Sequence, residues 1–192
     1  MADELKRLIL PELYTHFNQP ANKERLRMVA WWGHSFEPWL KFEVVFALEP
    51  LMQRMTGDPW EYEAWDMEQR RPGLGRVDIV FGGRRPLCVQ LKVCAPCWGY
   101  KPKFCAGPNS LLEDIENVRA YRREAAACLL FTLEHAGSEM VFEEIGLPPP
   151  EGDHKGRIEL GESWCDACWW RSERTAKEQP MWARFYYWTN GL

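Results

Sequence analysis

Asp78, Gln90 and Lys92 have the types and spacing to bring an acid, an amide and an amine onto one face of a sheet. They lie in VDIVFGGRRPLCVQLKV, residues 77–93, which reads as two apolar strands around a turn. Strand side chains alternate between faces, so Cys88, Gln90 and Lys92 share one face and Val89, Leu91 and Val93 the other. With GGRRP (82–86) as the loop, Phe81 pairs with Leu87 and Asp78 falls opposite Gln90. Directly opposed Cβ atoms lie about 4.5–5.5 Å apart. A shift of one residue would scatter the cluster. A charge on such a strand needs a partner. The plainest partnership is an ion pair between Asp78 and Lys92 on a half-exposed face.

A further acid turns this hairpin toward chemistry. The segment SFEPWLKFEVVFALEPLMQRMTG (35–57) carries Phe36, Trp39, Leu40, Phe46 and Ala47 at helical spacing. Ser35 suits an N-cap, Pro38 the first turn and Gly57 a stop. Glu43 lies on the apolar stripe, whereas Glu37 stands one turn before Lys41, the spacing of a surface ion pair. A helix laid on the polar face of the hairpin would bring Glu43 to Asp78. Two carboxylates and the Gln90 amide oxygen form a hard-oxygen donor set suited to Mg²⁺ or Mn²⁺. Lys92 beside such an ion can orient an attacking water or stabilise charge developing on a phosphate.

The elements that must position these residues follow from pattern. Helices are expected over 2–17 and 20–32, a strand over 60–69 and a turn at 70–75 before the hairpin. A long Gly-, Pro- and Cys-containing loop spans 94–110, followed by a helix over 111–126 and a buried strand over 127–134. EMVFEEI (139–145) reads as that strand's partner, GLPPPEGD (146–153) as a linker, and WARFYYWTN (182–190) as a late strand. The order implies an α/β or α+β fold, with a central mixed β-sheet flanked by helices. The chain reads as a single domain over 1–192: a helical extension (1–34), a core (35–145) and a carboxyl-terminal extension (146–192).

These residues resemble the PD-(D/E)xK nuclease superfamily, in which a helix glutamate, a strand aspartate and an acid-x-lysine strand precede a helix and another strand. The sequence supplies Glu43, Asp78 and QLK (90–92) in that order, then the elements of 111–134. KFEVVFALEPL and GRVDIVF…CVQLKV look most like the branches of archaeal Holliday-junction resolvases and modified-DNA restriction endonucleases. The resemblance spans roughly residues 35–134, about half the chain. It implies a restriction-endonuclease-like core and a metal-dependent nuclease acting on DNA. Glu43 and Asp78 would bind metal, with Glu37 as the alternate helix acid. Gln90 and the Leu91 carbonyl would add ligands, and Lys92 would position the water. Val77 stands where the family has proline, and Gln90 where it has an acid, which makes the site less negative. An inactive nuclease-fold module that binds nucleic acid or protein is the alternative.

Other patterns bound this reading. CAPC (94–97) and CDAC (165–168) are each half of a zinc site, so Cys94, Cys97, Cys165 and Cys168 could share a Zn²⁺, with Cys105 and His154 as spare ligands. A zinc-stapled interaction protein is therefore a third reading. Arg84, Arg85, Lys101, Lys103 and RAYRR (119–123) could meet phosphates. The net charge of −4 over 192 residues argues against a strongly basic nucleic-acid binder, though not against a local basic cleft. Seven cysteines without an export signal fit a reducing, cytoplasmic setting. No apolar run is long enough for a membrane helix. Cutting both strands of a duplex with one site per chain calls for a homodimer or successive nicks.

Overall fold

The most apolar strands form the middle of the sheet. A computed structural model describes residues 2–32, 36–56, 65–83, 86–94, 105, 107–135, 140–151, 156–162 and 180–191. Four longer helices are α1 (Ala2–Phe17), α2 (Pro20–Trp32), α3 (Glu37–Thr56) and α4 (Leu111–Ala120). Six strands are β1 (Asp66–Arg71), β2 (Gly75–Phe81), β3 (Leu87–Cys94), β4 (Ala125–His135), β5 (Ile158–Glu162) and β6 (Pro180–Thr189). They form one mixed sheet in the order β1-β2-β3-β4-β6-β5. Only β3 and β4 run parallel, joined through α4, as a crossover requires. The fold is α+β.

Alternation divides the sheet into two apolar faces. Ile79, Phe81, Val89, Leu91, Val93, Leu129, Phe131 and Phe185 pack against α1–α3 with Leu13, Phe17, Leu40, Val44 and Leu48. Val80, Cys88, Cys94, Cys128, Leu130, Tyr186 and Trp188 pack against Leu111, Ile115 and Val118 of α4. Both ends of the chain belong to this core. Phe17 of α1 lies 5.3 Å, ring to ring, from Phe185 of β6, and β6 pairs with β4 along its length. The segments expected as extensions thus complete the sheet and one of its helical layers.

The hairpin register matches the reading from alternation over three pairs: Ile79 with Val89, Val80 with Cys88, and Phe81 with Leu87. Three other expectations change. Helix α4 begins as capping chemistry directs, with Ser110 Oγ accepting from Glu113 N at 3.2 Å, but ends at Ala120 rather than 126. Tyr121 is extended there, and Asn190 Nδ2 donates to the carbonyls of Tyr121 and Glu124, starting β4 two residues early. Residues 140–145 form a turn instead of a strand. Phe142 stacks edge-on to Tyr186 (4.8 Å), so an apolar residue covers the sheet without joining it. On α3, Phe46 is exposed, and the buried stripe is Phe36, Leu40, Val44, Ala47, Leu48 and Leu51. Ser35, Gly57 and residues 60–64 lie outside the described residues. Among those described, no helix is long and apolar enough to cross a membrane.

Candidate functional site

The site forms where β2 and β3 part. Their paired register ends at Ile79 and Val89, one residue short of Asp78 and Gln90. Asp78 Oδ2 accepts from the backbone N–H of Leu91 at 2.7 Å, a charge-assisted bond that fixes the carboxylate against β3. Gln90 is buried and donates its amide nitrogen to the Arg76 carbonyl (2.9 Å) and, more weakly, the Leu74 carbonyl (3.5 Å). These contacts tie β3 to the entry of β2. Lys92, on the same face as Gln90, reaches Asp114 Oδ2 on α4 at 3.1 Å. Asp78, Gln90 and Lys92 therefore lie on adjoining strands, but Lys92 pairs with Asp114 in place of the expected Asp78.

Lys41 takes that place on Asp78. Its ammonium lies 2.7 Å from Asp78 Oδ1, 2.6 Å from Glu68 Oε1 and 3.4 Å from Glu37 Oε1. The three N–H donors of an ammonium suffice for these three carboxylates. Burial alone would lower the Lys41 pKa, but hydrogen bonds to Asp78 and then Glu68 outweigh it and raise it above the ordinary lysine value. The Lys41 bond holds Glu68 below the usual carboxylate range, against the opposing effect of burial, and Arg76 binds the other Glu68 oxygen. Glu68 adopts a left-handed φ of 61°, which only Asn109 shares among non-glycine residues described. Such a conformation costs on the order of 1 kcal/mol or more, and here the ion pairs hold it in place.

Glu43 turns elsewhere. It is buried, and its oxygens meet His16 Nε2 of α1 at 2.7 Å and Arg25 of α2 at 3.0 Å. Asn22 joins Arg25 through a 2.6 Å bond. The expected meeting of Glu43 with Asp78 is replaced by this network. Residues 41 and 43 are about 200° apart around a helix of 3.6 residues per turn, so the two charges serve different neighbours. Of the two helix acids, Glu37 is the one linked to Asp78, through Lys41.

Asp114, Glu68 and the inward reach of Lys41 are additions that the sequence pattern does not name. Asp114 had a legible signal: it lies in the first turn of α4 between the buried Leu111 and Ile115. Burial raises its carboxyl pKa, with Lys92 opposing. Lys41 also carried a signal, as a lone cation within the apolar run WLKFEVVF.

The donor chemistry suits a hard divalent ion, since the oxygens converging on Lys41 are all carboxylates. No group of three or more His, Cys, Asp or Glu side chains is arranged as a metal centre among the described residues. Of the expected zinc ligands, Cys94 is a buried free thiol, pushed up to about 12 by burial and then by neighbouring Cys105 and Glu134. Cys97, Cys165, Cys168 and His154 lie outside the described residues, as do Arg84, Arg85, Lys101 and Lys103. Arg119, Arg122 and Arg123 are exposed. No family model, no curated protein and no solved structure matches this chain.

Proposed function

We propose that the chain is a divalent-metal-dependent nuclease that hydrolyses phosphodiester bonds in DNA by attack of an activated water. The observation that carries this reading is Asp78, at the end of the β2–β3 ladder, with Glu68 beside it and Gln90 and Lys92 on the adjoining strand. Asp78 and Glu68 would hold Mg²⁺ or Mn²⁺, with the Gln90 amide oxygen and Leu91 carbonyl as further donors. The ion would lower the pKa of a bound water and draw charge from the phosphate. Lys92, side chain 24% exposed, can hold the water or the leaving oxygen from the solvent side. Asp114 is a positioning residue that aims the Lys92 ammonium. Glu43, with both oxygens taken, falls outside this site. With one site per chain, a homodimer or two successive nicks would cut a duplex.

A second reading, an inactive nuclease-fold module that binds nucleic acid, is favoured by Lys41 already neutralising Asp78. Plasmid relaxation with Mn²⁺ separates the two. The nuclease reading expects nicking by the wild type and its loss in both Asp78→Ala and Lys92→Ala. Retention of DNA by an uncleaving wild type in a mobility-shift assay would favour the module.

A further inference from the structure

We propose that Lys41 is a built-in cation that occupies the metal position at Asp78 and must be displaced before a divalent ion binds. The inference rests on the nuclease reading and deepens it by naming a residue that sets the metal affinity.

The geometry has three parts. First, the Lys41 side chain is 10% exposed, and its ammonium sits at the meeting point of Asp78, Glu68 and Glu37. A cation already satisfies the acids that a metal would need. Second, the ammonium lies 2.6 Å from Glu68 Oε1 and 2.7 Å from Asp78 Oδ1, so a metal can take those two oxygens only if the ammonium moves. Third, the structure offers it somewhere to go. Glu37, one helical turn back on α3, is 39% exposed and already within 3.4 Å. A lysine has a flexible four-carbon stem, so the ammonium can retreat toward Glu37 and release Asp78 and Glu68. Glu68 would keep Arg76, so its backbone would not have to relax.

The exchange is a competition between one positive charge and two. Removing the lysine charge leaves the acids more negative and frees their oxygens, so affinity for a divalent ion should rise. Any gain made at this site must vanish when Asp78 is lost.

The test is calorimetric titration of Mn²⁺ into the full chain as wild type, Lys41→Gln, Lys41→Arg and the double variant Lys41→Gln/Asp78→Ala. Lys41→Gln should bind on the order of tenfold more tightly than wild type. Lys41→Arg should not gain, and the double variant should lose the gain. Wild-type binding that Lys41→Gln leaves unchanged or weakens would overturn the role of Lys41 and leave the nuclease reading standing. Binding by Lys41→Gln alone would support the role of Lys41 while overturning wild-type metal catalysis. No binding by either would overturn both. Should Lys41→Gln fold poorly without metal, the rise in its melting temperature on adding Mn²⁺ replaces the heat signal. That rise should exceed the wild-type one, and an equal or smaller rise would count against the proposal.

Discussion

Two inward-facing charges on α3, Lys41 and Glu43, end in opposite situations. Glu43 meets His16 and Arg25 from the two preceding helices, so a buried acid is matched by donors on both oxygens. Lys41 meets Asp78, Glu68 and Glu37, with Arg76 as the other cation on Glu68, so acids outnumber bases. The first cluster closes the contact between α1, α2 and α3. The second opens toward solvent at Glu37 and Glu68. Burial is a poor guide to function here, since both residues are more than nine-tenths buried. The surplus of one charge type beside a splayed strand pair is the better sign.

The comparison breaks most sharply on activity. Asp78→Ala should reduce Mn²⁺-dependent plasmid nicking by about a thousandfold or more, the scale expected when a group that stabilises the transition state is lost. Glu43→Gln should keep wild-type nicking. Equal losses in the two variants would mean that both clusters serve one site.

Stability should show the reverse order. Glu43→Ala removes the carboxylate that His16 and Arg25 share, leaving Arg25 only Asn22, and should cost about 2 kcal/mol in urea unfolding, the range for hydrogen bonds to charged groups. Glu43→Gln should cost less, because one amide oxygen still accepts. A loss below the error of the urea extrapolation would show that the Glu43 network contributes nothing to the fold.

A smaller effect concerns Asp114. Burial raises its pKa, so the folded chain holds that proton to higher pH than the unfolded chain does. Its contribution is full below the unfolded aspartate pKa and is lost as pH rises through the folded value. Asp114→Asn should therefore flatten the fall in stability across the acidic range. It should also lower nicking and change its pH profile, because Lys92 loses its partner. An unchanged pH profile would reduce Asp114 to a packing role.

The smallest effect is chemical. Burial pushes the Cys88 and Cys94 thiols up to about 12, so neither should be alkylated in the folded chain near neutral pH. Mass spectrometry after iodoacetamide treatment checks this, and rapid labelling of either would contradict their burial.

Period-two alternation, with 82–86 as the loop, gives the register from Phe81–Leu87 to Ile79–Val89; both faces of these strands are apolar, so the loop length rather than exposure decides against a one-residue slip. The same rule placed Gln90 and Lys92 on one face. Partner choice was beyond it. Whether Lys92 meets Asp78 or Asp114 depends on how α4 crosses the sheet, which no local pattern encodes. The apolar stripe of α3 shows that Glu43 turns inward but not which neighbour it meets, and Phe46 on that stripe is exposed, so a large aromatic on a helix does not reveal which side the sheet lies on. Residues 140–145 misled for a similar reason: Val141 is exposed, while Phe142 packs onto Tyr186 without any strand pairing.

The most direct test of the account is the Mn²⁺ affinity of Glu68→Gln set against that of Glu43→Gln. If the cation position lies among the acids around Lys41, Glu68→Gln weakens binding and Glu43→Gln leaves it at the wild-type value. Loss of binding in Glu43→Gln with Glu68→Gln unaffected would contradict the account and return the site to the other side of α3.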